Sequence, residues 1–277
     1  MEHILSLSYG KDSLACLGAI EILGLPLDRI IHAEVWATDT ISADLPPMVE
    51  FKKKADAIIK DRYGIEVEHI CALKTQGEGG GKQTYEGMFY HELKKGKFAG
   101  TIKGFPQTIG SWCKKLKFET NGVDIRRYVL SSTNRSVERV VQYLGIASDE
   151  QKRIESHSQK NGIFLPLAEI GWTEEMCRKW CEENDLLSPI YTTATRGGCW
   201  FCHNQSVGQL RFLRKNYPEY WQLLLKWDAD SPVTFKPDGH TVHDFDERFQ
   251  LEDEKLIDPD EYFRWSMLND DLQFRLF

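Results

Sequence analysis

The chain has 277 residues, 41% hydrophobic and 12% aromatic, and carries a formal net charge of −7. That is enough apolar material for one large domain, or one domain with an appendage, and the acidic balance argues against a protein that coats nucleic acid indiscriminately. No apolar run approaches the roughly 20 residues of a membrane helix, and the chain enters its first strand with no basic start or cleavage site, so a cytoplasmic protein with no membrane partner is expected.

The apolar run Ile4-Leu5-Ser6-Leu7 predicts a first strand, and Asp12 to Leu23, stopped at Gly24, predicts a first helix. Between them stands Ser8-Tyr9-Gly10-Lys11-Asp12-Ser13. A helix N-terminus offers unpaired N–H groups and the positive end of a dipole, a glycine lets backbone approach an anion, and hydroxyls and an ammonium converge beside it. The turn therefore reads as a phosphate cradle whose natural guest is a nucleotide. With one glycine and six residues it is neither the G-x-x-x-x-G-K-[ST] loop nor the G-x-G-x-x-G fingerprint.

Ile30 to Ala37 predicts a second strand ending at Thr38-Asp39-Thr40, and a helix starting near Pro46-Pro47 carries Val49, Phe51, Ala55, Ile58 and Ile59. Ile65 to Ala72 is the third strand. Two crossover units follow, and ligands of such sheets bind beyond the carboxyl ends of the strands, which brings Ser8 to Ser13 and Thr38 to Thr40 to one edge. Asp39 there suits a ribose or a phosphate-bound metal ion, and equally suits an ordinary turn. The glycine-rich stretch Gln76 to Gln83 is a lid or a linker. Lys94 to Lys117 holds seven lysines and no acidic residue, either an electropositive rim for a phosphate-bearing substrate such as a nucleic acid, or a solvated loop. A helix is expected through Ile125 to Leu130, a fourth strand over Glu138 to Leu144, and a further helix capped by Ser148. The helix Thr173 to Glu183 places Cys177 and Cys181 on one face, either as a ligand pair or, beside Met176 and Trp180 and favoured by that pattern, as core; Cys16 and Cys71 are also read as core.

Cys199-x-x-Cys202, preceded by two glycines, has metal-type spacing, and seven cysteines in an intracellular-looking chain favour metal or catalytic roles over disulfides. After about Asn204 an amphipathic stretch, Val207 to Lys226, is broken by Pro218. From Thr241 to Phe277 there are 11 acidic and four basic residues, a solvated surface or a docking face for a basic partner; Phe245, Phe249, Tyr262, Phe263 and Trp265 predict that this segment packs on the core. The recurrent switch between strand and helix periods predicts an α/β core with a mainly parallel sheet.

The Ser8 to Ser13 turn resembles the S-[GYF]-G-K-D-S loop of the PP-loop ATP pyrophosphatase (adenine nucleotide alpha-hydrolase) superfamily, which includes phosphoadenosine phosphosulfate (PAPS) reductases. Trp112-Cys113-x-x-x-x-Lys117, Gly145-Ile-x-x-x-Glu150-x-x-Arg153, Leu165-Pro166-Leu167 before Thr173 and Trp180, Ser188-Pro-Ile-Tyr191 and Arg196-Gly-Gly-Cys199-Trp-Phe-Cys202 continue the resemblance in order. It implies a Rossmann-like α/β domain over residues 1–203, with helices on both faces of the sheet, and a mostly helical extension over 204–277. Ser8, Tyr9, Gly10, Lys11, Asp12 and Ser13, with Asp39 and Thr40, would hold the adenine nucleotide; Lys11, Asp12, Ser13, Lys117, Arg153 and Arg196 would act on it, with Mg2+ if the nucleotide is ATP. Cys113, Cys199 and Cys202 would hold a [4Fe–4S] cluster with one open iron for sulfide, or, with His203, a zinc ion; plain thiols are the third option. Two departures matter. Trp112 stands where iron–sulfur adenylyl-sulfate reductases pair two cysteines, and no Glu-Cys-Gly-[IL]-His tail follows, since no cysteine occurs after Cys202. The implied activity is adenylation of a substrate by ATP with release of pyrophosphate, then sulfur transfer from a sulfur donor or cysteine desulfurase to an acceptor, a nucleic acid among the candidates, with a homodimer as the candidate assembly. The alternatives are an adenylyl-sulfate or PAPS reductase releasing sulfite, and a non-catalytic, zinc-stabilised nucleotide-binding adaptor.

Overall fold

The computed structural model describes residues 1–74, 80–96, 98–106, 112, 116, 140–192 and 198–265. Five strands, β1 (Glu2–Ser6), β2 (Arg29–Glu34), β3 (Val67–Cys71), β4 (Val140–Tyr143) and β5 (Ile163–Phe164), form one sheet in the order β3-β2-β1-β4-β5. Every pairing is parallel. The chain winds outward from β1 on both sides, which is the Rossmann-like arrangement expected from the sequence. Helix α1 (Lys11–Ile22) joins β1 to β2 and α2 (Pro46–Tyr63) joins β2 to β3. The strand order reverses between β1 and β4, so the turn after β1 opens at the switch point, where the two neighbouring connections leave in opposite directions and create a crevice.

The chain divides into two compact units, residues 1–85 with 112–199, and residues 86–111 with 200–277. In the first, Leu14, Ala15, Cys16, Leu17 and Ala19 of α1 are fully buried, so this helix is enclosed nearly all round. Beyond β4 come α4 (Gln151–Ser158), α5 (Pro166–Glu169) and α6 (Glu174–Glu183), preceded in the chain by the short α3 (Tyr85–Phe89). Gly18 of α1 lies against α6, where a β-carbon would fall 2.5 Å from the Trp180 indole. Proline starts α2 as predicted, and Gly64, left-handed at φ 68°, ends it.

Some expectations need correction. Ser148 does not cap α4: Glu150 holds the cap position, and its carboxylate accepts the Ala147 N–H while the Ser148 N–H turns to the Trp172 carbonyl. Met176 is 46% exposed, although its helix neighbours Cys177 and Cys181 are completely buried as read, because Met176 falls on the outer face of α6. Cys71, at the end of β3, is half-buried. Of the glycine-rich stretch, residues 80–83 are described, and Gly81, Lys82 and Gln83 pair with the chain just after β3 through Lys74, Leu73 and Ala72. Residues 75–79 and the helix expected near 125–130 lie outside the described residues.

The second unit contains α7 (Val207–Asn216), α8 (Pro218–Asp230) and α9 (Val242–Asp253), with Pro218 opening α8 where the sequence showed a break. Capping boxes Ser206/Gln209 and Thr241/Asp244 start α7 and α9. Trp221, Leu224, Trp227, Phe245 and Phe249 form its interior, whereas Tyr262, expected to pack, is 89% exposed. Some of its acidic residues are answered within the unit: Arg211 and Arg248 converge on Glu252, and Arg214 bridges Asp246 and Asp253. Among the described residues no helix is long and apolar enough to cross a membrane.

Candidate functional site

The turn from Ser8 to Ser13 is closed by its own hydroxyls. The Ser8 N–H donates to Ser13 Oγ at 3.1 Å, the two seryl oxygens are 2.9 Å apart, and Ser13 Oγ donates to the Gly10 carbonyl at 3.0 Å. Gly10 is the N-cap of α1 at φ −77°, ψ 155°, an ordinary extended conformation. The left-handed residue is Tyr9, at φ 56°. A β-carbon on Gly10 would meet only Ser8 Oγ and the Tyr191 hydroxyl, each at 3.4 Å, so the glycine leaves space beside the helix start and is not required by its own backbone angles. From the Ser188-Pro-Ile-Tyr191 segment, the Tyr191 hydroxyl accepts the Lys11 N–H at 3.0 Å and steadies the first amide of α1.

The Lys11 ammonium is buried between Asp12 Oδ1 at 2.7 Å and Glu174 Oε2 at 2.9 Å. Burial alone would push this ammonium down, but its hydrogen bonds and charge pairing with Asp12 and Glu174 outweigh that and hold it above its usual range. Asp12 is raised, by burial first and by Glu174 and Glu150 in addition, while Lys11 pulls it back. The loop thus holds a cation already engaged by two carboxylates, which an incoming phosphate has to compete with. Glu174→Gln is expected to tighten binding of an anionic ligand severalfold, since a like charge within about 6 Å is removed and the ammonium is released; equal ATP titration curves for the two proteins would count against this.

Tyr9 itself faces inward. Its side chain is fully buried, and its hydroxyl donates to Asp56 of α2 and lies 3.2 Å from His69 Nε2 on β3. Only its backbone can meet a guest. His69 Nε2 also meets Asp56 Oδ2 at 3.0 Å, and its Nδ1 meets Glu34 Oε1 of β2 at 3.1 Å. The hydrogen bonds to Asp56 and Glu34 raise His69 to about 9. His32, the register partner of His69, is pushed down to about 3, first by burial and then by Lys52; its Nδ1–H donates to the Leu7 carbonyl and its Nε2 accepts from Lys52 Nζ at 2.7 Å. His32, Glu34 and His69 offer ligand atoms within 4.8 Å of one another, an arrangement able to hold a cation. The Lys52 ammonium, also 2.6 Å from Asp44, already fills that role. The sequence reading missed this cluster, yet its signal was present: His32 and Glu34 alternate along one strand and so share a face.

The remaining site residues are spread more widely. Arg153 pairs with Glu150, whose charge reaches Asp12, so this arginine stands one ion pair from the loop. Asp39 and Thr40 are exposed in the turn after β2, with the Asp39 carbonyl 3.5 Å from Lys82 Nζ. Lys117, Arg196 and Cys113 lie outside the described residues. Trp112, next to Cys113, is buried against Tyr85. Cys199 and Cys202 are half-buried; Cys199 closes the first unit and Cys202 lies in the second. His203 is 5% exposed, and its Nε2 is buried with no hydrogen-bond partner among the described residues. Burial, and then Lys236, lower His203 below its usual range, which favours the neutral imidazole. Lys236 Nζ donates to the carbonyls of His203 at 2.7 Å and Gln205 at 2.5 Å, pinning the turn that carries the imidazole. An orphaned buried nitrogen beside Cys202 fits a soft-metal donor set.

No family model matches the chain. No curated protein matches it either. Among solved structures, the U34-tRNA thiolase NcsA from Methanococcus maripaludis, with its [4Fe–4S] cluster, is similar over 90% of this chain and 80% of that one, at 15% identity and a TM-score of 0.37. A likeness this loose carries no argument about chemistry, which rests on the side chains above.

Proposed function

We propose that this chain is a PP-loop enzyme that binds ATP with Mg2+ at Ser8 to Ser13, activates a substrate by adenylation with release of pyrophosphate, and transfers sulfur to the activated position, from which AMP leaves with the electron pair of the broken bond. The observation that carries this reading is the position of a hydroxyl-lined helix start, with a buried ammonium, at the switch point of a 3-2-1-4-5 parallel sheet. A substrate oxygen attacks the α-phosphorus, the bond to the bridging oxygen breaks, and pyrophosphate leaves with that electron pair. Lys11, the Ser8 and Ser13 hydroxyls and the α1 amides would stabilise charge on the leaving oxygens, while Asp12 or Asp39 would hold the magnesium ion. Arg153, Lys117 and Arg196 are the further cations of this reading. The resemblance assigns Cys113, Cys199 and Cys202 to a [4Fe–4S] cluster, which when bound would supply sulfide as nucleophile. An acceptor nucleic acid would suit the lysine-rich segment 94–117.

Incubation with ATP, Mg2+ and a sulfide source tests the reading through the appearance of AMP and pyrophosphate. Sulfite release from PAPS or adenylyl sulfate without ATP cleavage would replace it with a reductase. A second reading, a zinc-stabilised knuckle, is favoured by the unpartnered His203 Nε2. Metal and sulfide analysis on protein purified without oxygen separates the two. About four iron and four sulfide per chain support the cluster, and His203→Ala is then expected to leave iron content unchanged. One zinc per chain, lost in His203→Ala, makes the knuckle structural.

A further inference from the structure

The phosphate turn carries its one left-handed residue where a glycine would be easiest, and that residue is a buried tyrosine. Something must hold Tyr9 there. Its hydroxyl reaches across to Asp56 on α2, and Asp56 is joined through His69 on β3 to Glu34 on β2. The ring is gripped as well, edge-on by His32 with centroids 4.7 Å apart, and with Lys52 Nζ 5.5 Å from its centroid. Every member of this chain belongs to the first unit. The other end of the turn is held separately, by the Tyr191 hydroxyl on the Lys11 amide.

We propose that the Tyr9–Asp56–His69–Glu34 chain is a positioning device that holds the turn in its anion-ready path before any nucleotide arrives. None of these side chains touches the reacting atoms. Asp56 accepts from both Tyr9 and His69, so loss of either donor loosens the anchor. The role assigned to nucleotide rests on the function proposed above; preorganisation of the turn does not.

The charges give the device a pH signature. His69 faces Asp56 from α2, Glu34 and His32 from β2, Tyr9 from the turn and, across the cluster, Lys52 with its partner Asp44. Its folded-state value is raised to about 9. The His69 part of the anchor is therefore complete while His69 is charged and weakens as pH rises through about 9, leaving the Tyr9–Asp56 hydrogen bond alone. Above that, the link between Asp56 and Glu34 no longer carries a charge, and Lys52, 4.0 Å from Glu34, is the cation left beside them.

Hydrogen exchange on the full chain tests this without any ligand. In Tyr9→Phe, which keeps the ring, the amides of residues 8–13 should exchange roughly tenfold faster, while those of Leu14 to Ile20 keep their protection. Unchanged exchange at residues 8–13 would overturn the proposal. His69→Gln, at a half-exposed side chain, serves as the second variant: turn protection in the native protein should fall between pH 8 and 10, and in this variant should already be low and stay flat. A native-like fall in His69→Gln would also overturn it. ATP–Mg titration then separates the two readings. If the native protein binds ATP, Tyr9→Phe should bind about tenfold more weakly, and equal affinity sinks the anchor. If the native protein binds no ATP, the nucleotide reading fails while the exchange result still decides the anchor.

Discussion

Gly145→Ala is expected to destabilise the chain by about 1–3 kcal/mol and to displace the Ser8–Ser13 turn at the same time. A β-carbon at Gly145 would lie 2.5 Å from the Asp12 carbonyl oxygen and 2.7 Å from Ser13 Cα. These are backbone atoms in the first turn of α1, so no side-chain rotation relieves the clash. Nor can α1 retreat, because Leu14 to Ala19 are enclosed by core on nearly every side. The glycine after β4 is thus the point at which one strand of the switch point touches the helix start hanging from the other. A urea titration of the variant checks the prediction, with Gly208→Ala in α7 as the control. There the nearest atom is 4.0 Å away, and helix propensity favours alanine by roughly 0.5–1 kcal/mol. An unchanged midpoint for Gly145→Ala would show that the strand end and α1 are not locked together.

Lys11→Ala is expected to lower ATP cleavage by at least about 10²-fold, the scale seen when one preorganised charge stabiliser is removed. Its effect on binding should be larger than that of an exposed lysine. The change leaves Asp12 and Glu174, which share this ammonium at 2.7 and 2.9 Å, as uncompensated negative charge at the place where a phosphate should sit. Combining Lys11→Ala with Glu174→Gln should therefore recover part of the lost affinity, and the two changes should be non-additive because their side chains are in contact. Lys11→Arg should not restore function, since a planar guanidinium cannot take the position of a compact ammonium held between two carboxylates. ATP titrations and pyrophosphate release on the three variants test these statements. Full activity in Lys11→Ala would remove the turn from the chemistry.

Much of this architecture was visible in the residues. Proline at the start of α2, glycine after α1 and α2, and the apolar runs of the first three strands act through local backbone preference, which needs no knowledge of the partner surface. Ser8 and Ser13 were legible as hydroxyls flanking a helix start, though they bond to one another and to the backbone of the turn and do not cap the α1 amides. The cap of α4 was not, because Ser148 and Glu150 compete for it and the outcome depends on Trp172, whose carbonyl takes the Ser148 amide. The His32, Glu34, Lys52, Asp56 and His69 cluster escaped because its members come from two strands and a helix and meet only once β2 and β3 are in register.

The sequence by itself determined a mainly parallel α/β core and a helix start flanked by two serines, a glycine and a lysine, since the first follows from periodicity and the second lies within six neighbouring residues. Only the tertiary structure decided that the strained residue of that turn is Tyr9 and not Gly10, that Lys11 is already engaged by a carboxylate 163 positions away, and that Gly145 is the glycine the turn requires. Those outcomes depend on which backbone and which charge lie opposite, and long-range packing settles both.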